Sequence, residues 1–527
     1  MESGITYLGH TMNFIEAFSR TVRCYSGKTA VITDEGWSET YGELDRRTTR
    51  LANALEERVG GARIATLSCN GVLPLEAMLA SHKRGVANVQ LPFRESQGGI
   101  VSMLEPTGAN ALLFDDSNVE KALGVLDRTD FDAAIHRGDA EVDHEAVESY
   151  EAIVENASSE APEPDPAFEH GVFYTSGTTS TPKAVLHDQE SMWLGSTQVV
   201  MEMGIDESDV ALVASPWYHM VTCDAWILPH IQAGATMVIQ THFDPDDALE
   251  LIKTHDATGL LAVPTQLRSF VEAQRAKEYA VETLSYIRTG GSIVTESLVD
   301  DVSTHLTPNV YNTYGLTEGG PNLTYAPPSL QTDHPGTIGN ESFMWELRVV
   351  EPAETAGGLD PDATVGRGET GEVLARGEGA TDGYLGRPEA TEQLFVGDWL
   401  RTGDIAEIDA DGNFHIVGRA DNMIVSGGEN IYPEEVEEIL EGYDAIEEAV
   451  VIGAPDDHWG ERVACVACVG AETAVSEDDL DEFCQNHDRL ANFKRPREYV
   501  LTSERLPRTD TGTIERETVS REFFELE

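Results

Sequence analysis

A hydroxyl-rich loop between Tyr174 and Lys183 is the segment of this chain best suited to chemistry. It reads Tyr-Thr-Ser-Gly-Thr-Thr-Ser-Thr-Pro-Lys and follows the apolar pair Val172-Phe173, which is typical of a strand that runs into a loop. The hydroxyls and backbone N–H groups of such a loop can surround a polyphosphate, and Lys183 adds a positive charge. The spacing of a Walker A loop is absent. The alternative interpretation is a Ser/Thr-rich surface turn.

Three later segments carry further groups that could hold a nucleotide. Residues 312–318 offer an aromatic ring for a base, a hydroxyl for phosphate at Thr317 and a carboxylate for Mg²⁺ at Glu318. Asp404 follows a tight turn and could accept hydrogen bonds from ribose hydroxyls. Arg419 could contact ribose or phosphate. The alternatives are a solvated glutamate, a turn aspartate and a surface ion pair.

Together with three more segments, these resemble the AMP-forming adenylate-producing enzymes, which are the acyl-CoA synthetases, peptide-synthetase adenylation domains and luciferases. The family's phosphate loop has glycines where this chain has Ser180 and Ala184. All seven segments follow the family's order over nearly the whole chain, so chance is a poor explanation. They are the phosphate loop, Ser215-Pro-Trp-Tyr-His219, Thr289-Gly-Gly-Ser292, residues 312–318, 399–404 and 418–421, and the C-terminal signature at 426–437.

The resemblance implies roles for individual residues. The catalytic residues would be Lys183, Thr317, Glu318 and His219, with Glu318 as the ligand of Mg²⁺. The nucleotide would be bound by Thr175, Ser176, Gly177, Thr178, Thr179, Lys183, Gly291, Asn312, Thr313, Tyr314, Gly315, Thr317, Asp404 and Arg419. The substrate pocket would be lined by Trp217, Tyr218, His219, Gly290 and Gly315. ATP, Mg²⁺ and CoA would be the cofactor and co-substrates.

The identity of the acid is constrained by the pocket segment. His219 stands where amino-acid-activating relatives carry an aspartate for the substrate ammonium, so an amino acid is not expected. Trp217, Tyr218, Met220 and Cys223 favour an apolar or aromatic acid. Because no carrier-protein segment follows, we expect CoA as the thiol that accepts the acyl group.

Apolar β-type segments alternate with helical patterns, which predicts an α/β fold. The resemblance implies a large N-terminal α/β region of several subdomains, residues 1–418, which binds AMP and the acyl group. A small, mobile α+β lid, residues 419–527, would follow a hinge near Asp421. Cys465-Val-Ala-Cys468 lies in an apolar run, which predicts a buried strand with the two thiols on opposite faces rather than a metal or redox site.

One family motif is incomplete in this chain. Near the C-terminus the family reads Leu-Pro-Arg-Thr-x-x-Gly-Lys, and the lysine is replaced by Thr513. Loss of one such preorganised donor typically costs about 10²–10³ in rate. Lys494 is the substitute that we consider.

Our main hypothesis is an ATP-dependent, AMP-forming acyl-CoA ligase for a fatty or aromatic acid. The alternative, based on Thr513, is a catalytically impaired homologue: a nucleotide or acyl-CoA binder, or an enzyme of the thioester half-reaction only. An oxidative, luciferase-like enzyme has no sequence feature in its favour.

The chain is strongly acidic. It carries 94 Asp and Glu against 35 Lys and Arg, a formal net charge of −59 that is dispersed along its length. We interpret this as a cytoplasmic protein of a halophilic archaeon, because concentrated salt screens such self-repulsion. The charge argues against binding to nucleic acid or anionic membranes. No apolar run has the length of a membrane-spanning helix and no secretory signal is recognised. A homodimer is our hypothesis for the assembly.

Overall fold

The structure is a computed structural model that describes residues 12–175, 182–353, 355–426, 429–456, 458–470, 475–487, 489–508 and 514–524. The chain forms two compact units. The first unit consists of Met1–Leu347 and Ala375–Leu400, and the second of Arg348–Leu374 and Arg401–Glu527. The division predicted from the sequence, 1–418 and 419–527, differs from this one and stays a prediction.

Sixteen strands of the described residues lie within the first segment of the first unit, Met1–Leu347. They are β1 (Thr29–Thr33), β2 (Ser38–Thr40), β3 (Arg63–Leu67), β4 (Asn88–Leu91), β5 (Ala109–Asp115), β6 (Ala133–Arg137), β7 (Val147–Ser149), β8 (Glu169–Thr175), β9 (Lys183–Asp188), β10 (Val210–Val213), β11 (Thr236–Ile239), β12 (Gly259–Leu261), β13 (Tyr286–Gly290), β14 (Val310–Tyr314), β15 (Thr324–Ala326) and β16 (Asn340–Glu341).

These strands form two sheets. One has nine strands in the order β16-β15-β14-β13-β12-β10-β11-β1-β2, and the other has seven in the order β7-β6-β5-β3-β4-β8-β9. Neighbouring strands from β14 to β1 and from β7 to β8 are parallel, whereas β2, β9, β15 and β16 close the edges in antiparallel pairs. The predicted α/β class is confirmed.

Helices lie between most of the parallel strands along the chain, as is usual for crossover connections. They are α1 (Phe14–Tyr25), α2 (Tyr41–Val59), α3 (Val72–Arg84), α4 (Gln97–Leu104), α5 (Val119–Leu126), α6 (Tyr150–Asn156), α7 (Gln189–Met203), α8 (Met220–Thr222), α9 (Leu228–Ala233), α10 (Pro245–His255), α11 (Pro264–Ala276), α12 (Glu296–His305), α13 (Pro328–Asp333) and α14 (Pro388–Leu394). A π-helical turn, Cys223–Ile227, separates α8 from α9.

Local signals explain where several of these helices begin. The helix α2 begins with a reciprocal capping box between Thr40 and Glu43. Asp244 caps α10, and Pro245 occupies its first turn, where a missing N–H costs nothing. Between the helices and the sheets lie continuous apolar cores, one of which contains Phe14, Phe173 and Trp217.

Five more strands follow, and the chain passes between the units within three of them. They are β17 (Trp345–Val350), β18 (Thr370–Gly377), β19 (Phe395–Val396), β20 (Trp399–Ile408) and β21 (Phe414–Arg419). In the second unit, β20 and β21 form an antiparallel hairpin. Its turn contains Asp411-Gly412, a pair that favours such a turn.

The second unit ends in a small α+β fold. Its strands are β22 (Ile424–Ser426), β23 (Glu429–Ile431), β24 (Ile446–Asp456), β25 (Gly460–Val469) and β26 (Glu498–Thr502), and its helices are α15 (Pro433–Glu441), α16 (Glu477–Asn486) and α17 (Arg516–Phe524). Cys465 and Cys468 are buried on β25 and pack into different apolar clusters. The predicted buried strand with thiols on opposite faces is thereby confirmed.

Among the helices in the described ranges, none combines the length and the apolar character needed to cross a bilayer.

Candidate active site

The ends of the hydroxyl-rich loop are fixed by two paired strands. Thr175 is the last residue of β8, Lys183 is the first of β9, and the two residues are paired in the antiparallel register. The parallel pairing of β8 with β4 places the loop at the carboxyl end of a parallel strand, where open α/β sheets bind ligands. Four predicted nucleotide-binding residues of the loop lie outside the described residues: Ser176, Gly177, Thr178 and Thr179.

Lys183 and Glu318 meet the same tyrosine. The Lys183 Nζ lies 4.9 Å from the centre of the Tyr384 ring, a distance suited to a cation–π contact. The Tyr384 hydroxyl donates a hydrogen bond to Glu318 Oε1. Glu318 is buried, so this hydrogen bond partly replaces the hydration that its carboxylate loses. The structure thus brings two of the predicted catalytic residues to one side chain.

The carboxylate of Glu318 fits Mg²⁺, which prefers oxygen ligands. The hydrogen bond from Tyr384 engages Oε1, and each carboxylate oxygen can accept more than one interaction. The backbone around it is held as well, because the Thr381 N–H donates to the Glu318 carbonyl over 2.8 Å. Beside it, the carbonyl of Thr317 lies 2.7 Å from His187 Nε2.

The other predicted nucleotide-binding residues lie along neighbouring strands. In the parallel pairing of β13 with β14, Gly290 is opposite Thr313. A side chain at Gly290 would place its Cβ 2.2 Å from the Thr313 carbonyl oxygen, so this approach requires glycine. Gly291 follows with φ of 81°, a conformation that L side chains rarely adopt. Tyr314 ends β14, and Gly315 comes directly after it.

Two of these side chains are engaged within the protein. The Asn312 amide donates to the Thr337 carbonyl over 2.9 Å, and the Thr313 hydroxyl donates to the Thr289 carbonyl over 3.2 Å. These bonds tie the end of β14 to its neighbours. Contacts of Asn312 and Thr313 with a nucleotide stay predictions.

Three of the predicted acyl-pocket residues follow β10: Trp217 and Tyr218 are buried, and His219 is partly buried. The Trp217 N–H donates to Asn70 Oδ1 over 2.8 Å, and the Asn70 amide donates to the Ser215 carbonyl over 2.9 Å. Asn70 therefore fixes the backbone of this segment. The Tyr218 ring lies 4.3 Å from the His219 ring and contacts Phe93 edge to face at 5.4 Å between ring centres.

His219 is an uncharged group in this aromatic cluster. Burial, and secondarily the positive charge of Arg94, lower its pKa to about 4. Its Nε2 atom is buried and forms no hydrogen bond with any of the described residues. A neutral imidazole offers no counter-charge to an ammonium group, which agrees with the expectation that the acid is not an amino acid.

In the second unit, Asp404 and Arg419 lie opposite each other on β20 and β21. Arg419 Nη1 donates to Asp404 Oδ1 over 2.8 Å. The Asp404 side chain is only 10% exposed, whereas that of Arg419 is 46% exposed. The structure therefore joins the predicted ribose acceptor and the predicted ribose or phosphate donor in one ion pair.

Lys494, the proposed substitute for the family lysine, is also engaged in an ion pair. Its Nζ lies 2.7 Å and 2.6 Å from the two carboxylate oxygens of Glu435 on α15. A role in adenylation would require Lys494 to leave this carboxylate. Thr513 lies outside the described residues.

Sequence reasoning missed Tyr384, Asn70 and Phe93. None of them belongs to a motif that we singled out, and each reaches the site by tertiary packing. The sequence contains one signal for Tyr384: Gly383 precedes it in the loop that follows strand β18. An aromatic residue in such a loop is a candidate for a functional site.

Comparison with known proteins agrees with this geometry. The model of the family "AMP-binding enzyme" matches residues 18–385, and the model of the family "AMP-binding enzyme C-terminal domain" matches residues 435–513. The chain belongs to the AMP-binding enzyme family. A feruloyl-CoA synthase of Amycolatopsis is 30% identical over 93% of this chain and 94% of that protein. An indoleacetate–CoA ligase of Aromatoleum aromaticum is 29% identical over 96% of this chain and 98% of that protein.

A solved structure shows the same architecture. O-succinylbenzoate coenzyme A synthetase from Bacillus subtilis, in complex with ATP and magnesium ion, has a TM-score of 0.81 and 26% identity, and the match covers 96% of this chain and 99% of that one. The present chain is an AMP-forming acyl-CoA ligase, an acid–thiol ligase that uses ATP, Mg²⁺ and CoA. It has a large N-terminal and a small C-terminal domain. The comparisons give no support to an impaired homologue.

Proposed function

We propose that this ligase activates an aromatic carboxylic acid. The observation that carries the proposal is the cluster of buried Tyr218 with partly buried Phe93 and His219, in which the imidazole is neutral and the rings pack at 4.3 to 5.4 Å between centres. Aromatic side chains arranged in this way present ring edges and faces that suit another ring. The names of the relatives, feruloyl-CoA synthase and indoleacetate–CoA ligase, also refer to aromatic acids.

The roles of the site residues follow from their chemistry. We assign Lys183 to the phosphates, and Thr175, Asn312, Thr313, Tyr314, Gly315, Thr317, Gly291 and the loop residues 176–179 to the rest of the nucleotide. Asp404 accepts hydrogen bonds from the ribose hydroxyls. Arg419 orients Asp404 through their ion pair and contacts the sugar or the phosphate. Trp217, Tyr218, His219 and Gly290 contact the acyl group. Glu318 would hold Mg²⁺, which neutralises phosphate charge when bound.

The reaction has two steps in one pocket. A carboxylate oxygen of the acid attacks the α-phosphorus of ATP, the bond from this phosphorus to the bridging oxygen breaks, and pyrophosphate leaves. The thiol of CoA then loses its proton and attacks the acyl carbonyl, which releases AMP. Lys183 and the loop supply positive charge and N–H donors where phosphate charge develops. Gating by a lid, residues 419–527 hinged near Asp421, would present CoA after adenylation.

The experiment measures AMP and acyl-CoA formation from ATP, CoA and a panel of aromatic and fatty acids in concentrated KCl. We expect turnover with aromatic acids, and loss of at least about 100-fold in Asp404→Ala, since a charge-assisted hydrogen bond to the nucleotide is removed. Asp362→Ala is the control, because that carboxylate is 89% exposed on the same unit. Full activity of Asp404→Ala would contradict the nucleotide site, and turnover of fatty acids alone would contradict the substrate class.

Thr513→Lys belongs in the same assay. We expect the wild type to turn over without the family lysine and the variant to be faster by up to about 10²–10³. A wild type that is silent across the whole panel, with activity restored in Thr513→Lys, would mean that adenylation has been lost.

The charge of −59 supports a cytoplasmic origin in a halophilic archaeon, where high salt screens the surface. We propose a homodimer as the assembly, which light scattering in concentrated KCl would test.

A further inference from the structure

A cluster of buried polar groups lies in the first unit, next to the proposed acyl pocket, because the Cys223 N–H donates to the His219 carbonyl over 3.0 Å. It contains His170 on β8 and the consecutive residues Cys223 and Asp224 in the π-helical turn, all of them fully buried or nearly so. One nitrogen of His170, the Cys223 sulfur and one Asp224 oxygen lie within 4.8 Å of one another. Imidazole, thiolate and carboxylate are three ligand types that Zn²⁺ takes in proteins.

The Asp224 carboxylate is unusual for a core without an ion. Asp224 Oδ1 lies 2.9 Å from His170 Nε2, but Asp224 Oδ2 is buried and accepts no hydrogen bond from the described residues. A buried carboxylate oxygen without a partner is costly. The neighbouring Cys223 sulfur lies 3.4 Å from the Met78 sulfur.

The groups around His170 are arranged as they are around metal-binding histidines. His170 Nδ1 lies 2.8 Å from His82 Nε2, so it can donate its proton there and leave Nε2 as a lone-pair ligand. Phe173 and Phe14 flank the two imidazoles at 5.9 Å and 5.6 Å between ring centres and keep water away.

The local backbone also departs from regular helix at this point. Cys223–Ile227 is a π-helical turn between α8 and α9. Such turns are rare in proteins, and those that occur are often found at functional sites. The wider turn begins at Cys223 and carries both it and Asp224 toward β8. Neither residue contacts the predicted nucleotide groups by any interaction in the described part of the chain.

We propose that His170, Cys223 and Asp224 bind one Zn²⁺ ion, as three of its four tetrahedral ligands. The thiol of Cys223 gives up its proton on binding, so that one thiolate and one carboxylate balance the two positive charges of the ion. Tetrahedral bonds of about 2.0–2.3 Å place ligand atoms about 3.3–3.7 Å apart. Around the ion, the His170 and Asp224 atoms, now 2.9 Å apart, would separate slightly, and the more distant atoms of the cluster, which all lie within 4.8 Å of one another, would move closer. The ion ties β8, which leads into the phosphate loop, to the helical segment that follows His219.

The test uses the full chain, stripped with a chelator and titrated with Co²⁺ in concentrated KCl and excess Mg²⁺. We expect about one equivalent of Co²⁺ per chain, a thiolate-to-cobalt charge-transfer band in the near ultraviolet, and loss of this band when Zn²⁺ is added. Mg²⁺ occupies oxygen sites and does not compete for a thiolate.

Two variants locate the site. Cys223→Ser should abolish the band, whereas Cys24→Ser, which changes an exposed thiol, should keep it. If Cys223→Ser does not fold, Asp224→Asn retains the shape and should bind Co²⁺ at least about 100-fold more weakly. Less than about 0.1 equivalent of Co²⁺ in the wild type, or a band that persists in Cys223→Ser, would overturn the proposal.

Discussion

At the scale of single residues, the site depends on how charges are held in place. Tyr384 is the clearest case, because its ring contacts Lys183 while its hydroxyl donates to Glu318. A carboxylate that is oriented by a neighbouring hydroxyl loses less entropy when it binds a cation. On the proposed roles of Lys183 and Glu318, Tyr384 is therefore a positioning residue for the groups that hold phosphate and Mg²⁺.

Tyr384→Phe removes only that hydroxyl. Since a hydrogen bond to a charged group contributes about 1.5–3 kcal/mol, we expect kcat/KM to fall by about tenfold or more and the Mg²⁺ concentration for half-maximal rate to rise. Steady-state assays across a Mg²⁺ series check this. Tyr150→Phe is the matched control, because its hydroxyl also donates to a buried glutamate, Glu76. An unchanged Mg²⁺ requirement in Tyr384→Phe would contradict the positioning role.

His219, in the proposed acyl pocket, makes the stability of the folded chain depend on pH. Burial lowers its pKa to about 4 from about 6.5 in the unfolded chain. As pH falls from 6.5 to 4, the unfolded chain takes up a proton that the folded chain does not, so folded-state stability decreases. Between pH 7 and 5 this amounts to about 2 kcal/mol.

The measurement is the free energy of unfolding at pH 7 and pH 5 in concentrated KCl. We expect His219→Gln to lose about 2 kcal/mol less than the wild type over this interval. His242→Gln, at an exposed position, should follow the wild type. The same pH dependence in His219→Gln and the wild type would show that this imidazole is not held neutral.

At the scale of elements, α15 organises the C-terminal fold. Four of its glutamates pair with cations from outside the helix: Glu434 and Glu437 with Arg516, Glu435 with Lys494, and Glu438 with Arg489. These pairs differ in exposure, since Arg516 is 22% exposed and Arg489 is 67% exposed. Buried charge pairs are much more sensitive to loss of one partner than exposed ones.

Arg516→Ala should therefore destabilise the C-terminal fold by about 2 kcal/mol or more, because it leaves two partly buried carboxylates without their partner and removes a 2.8 Å bond to the Val451 carbonyl. Arg489→Ala should cost at most about 1 kcal/mol. Urea unfolding of the full chain, followed by hydrogen exchange on α15 and β24, compares the two. Equal effects would contradict the ranking by burial.

At the scale of the whole molecule, charge is the dominant feature. With 94 acidic and 35 basic residues, the folded chain repels itself, and this repulsion is screened over about 10 Å at 0.1 M salt but about 3 Å at 1 M. Screening stabilises the compact state of such a protein.

The melting temperature should rise by about 5–10 °C between about 0.1 M and 1 M KCl, since each kcal/mol adds about 2–4 °C in domains of a few hundred residues. Scanning calorimetry measures it, and choline chloride serves as the comparison because it screens charge with a different cation. A melting temperature that is constant or falls with salt would contradict the adaptation to salt.

The sequence by itself determined the α/β class, the identity of the ligase family and the burial of Cys465 and Cys468. These depend on local order and on periodicity, which short segments carry in full. Only the tertiary structure joined Asp404 to Arg419, placed Tyr384 between Lys183 and Glu318, and gathered His170, Cys223 and Asp224. Such contacts connect residues that are distant in the chain, and their geometry depends on strand order and packing, which no single segment encodes.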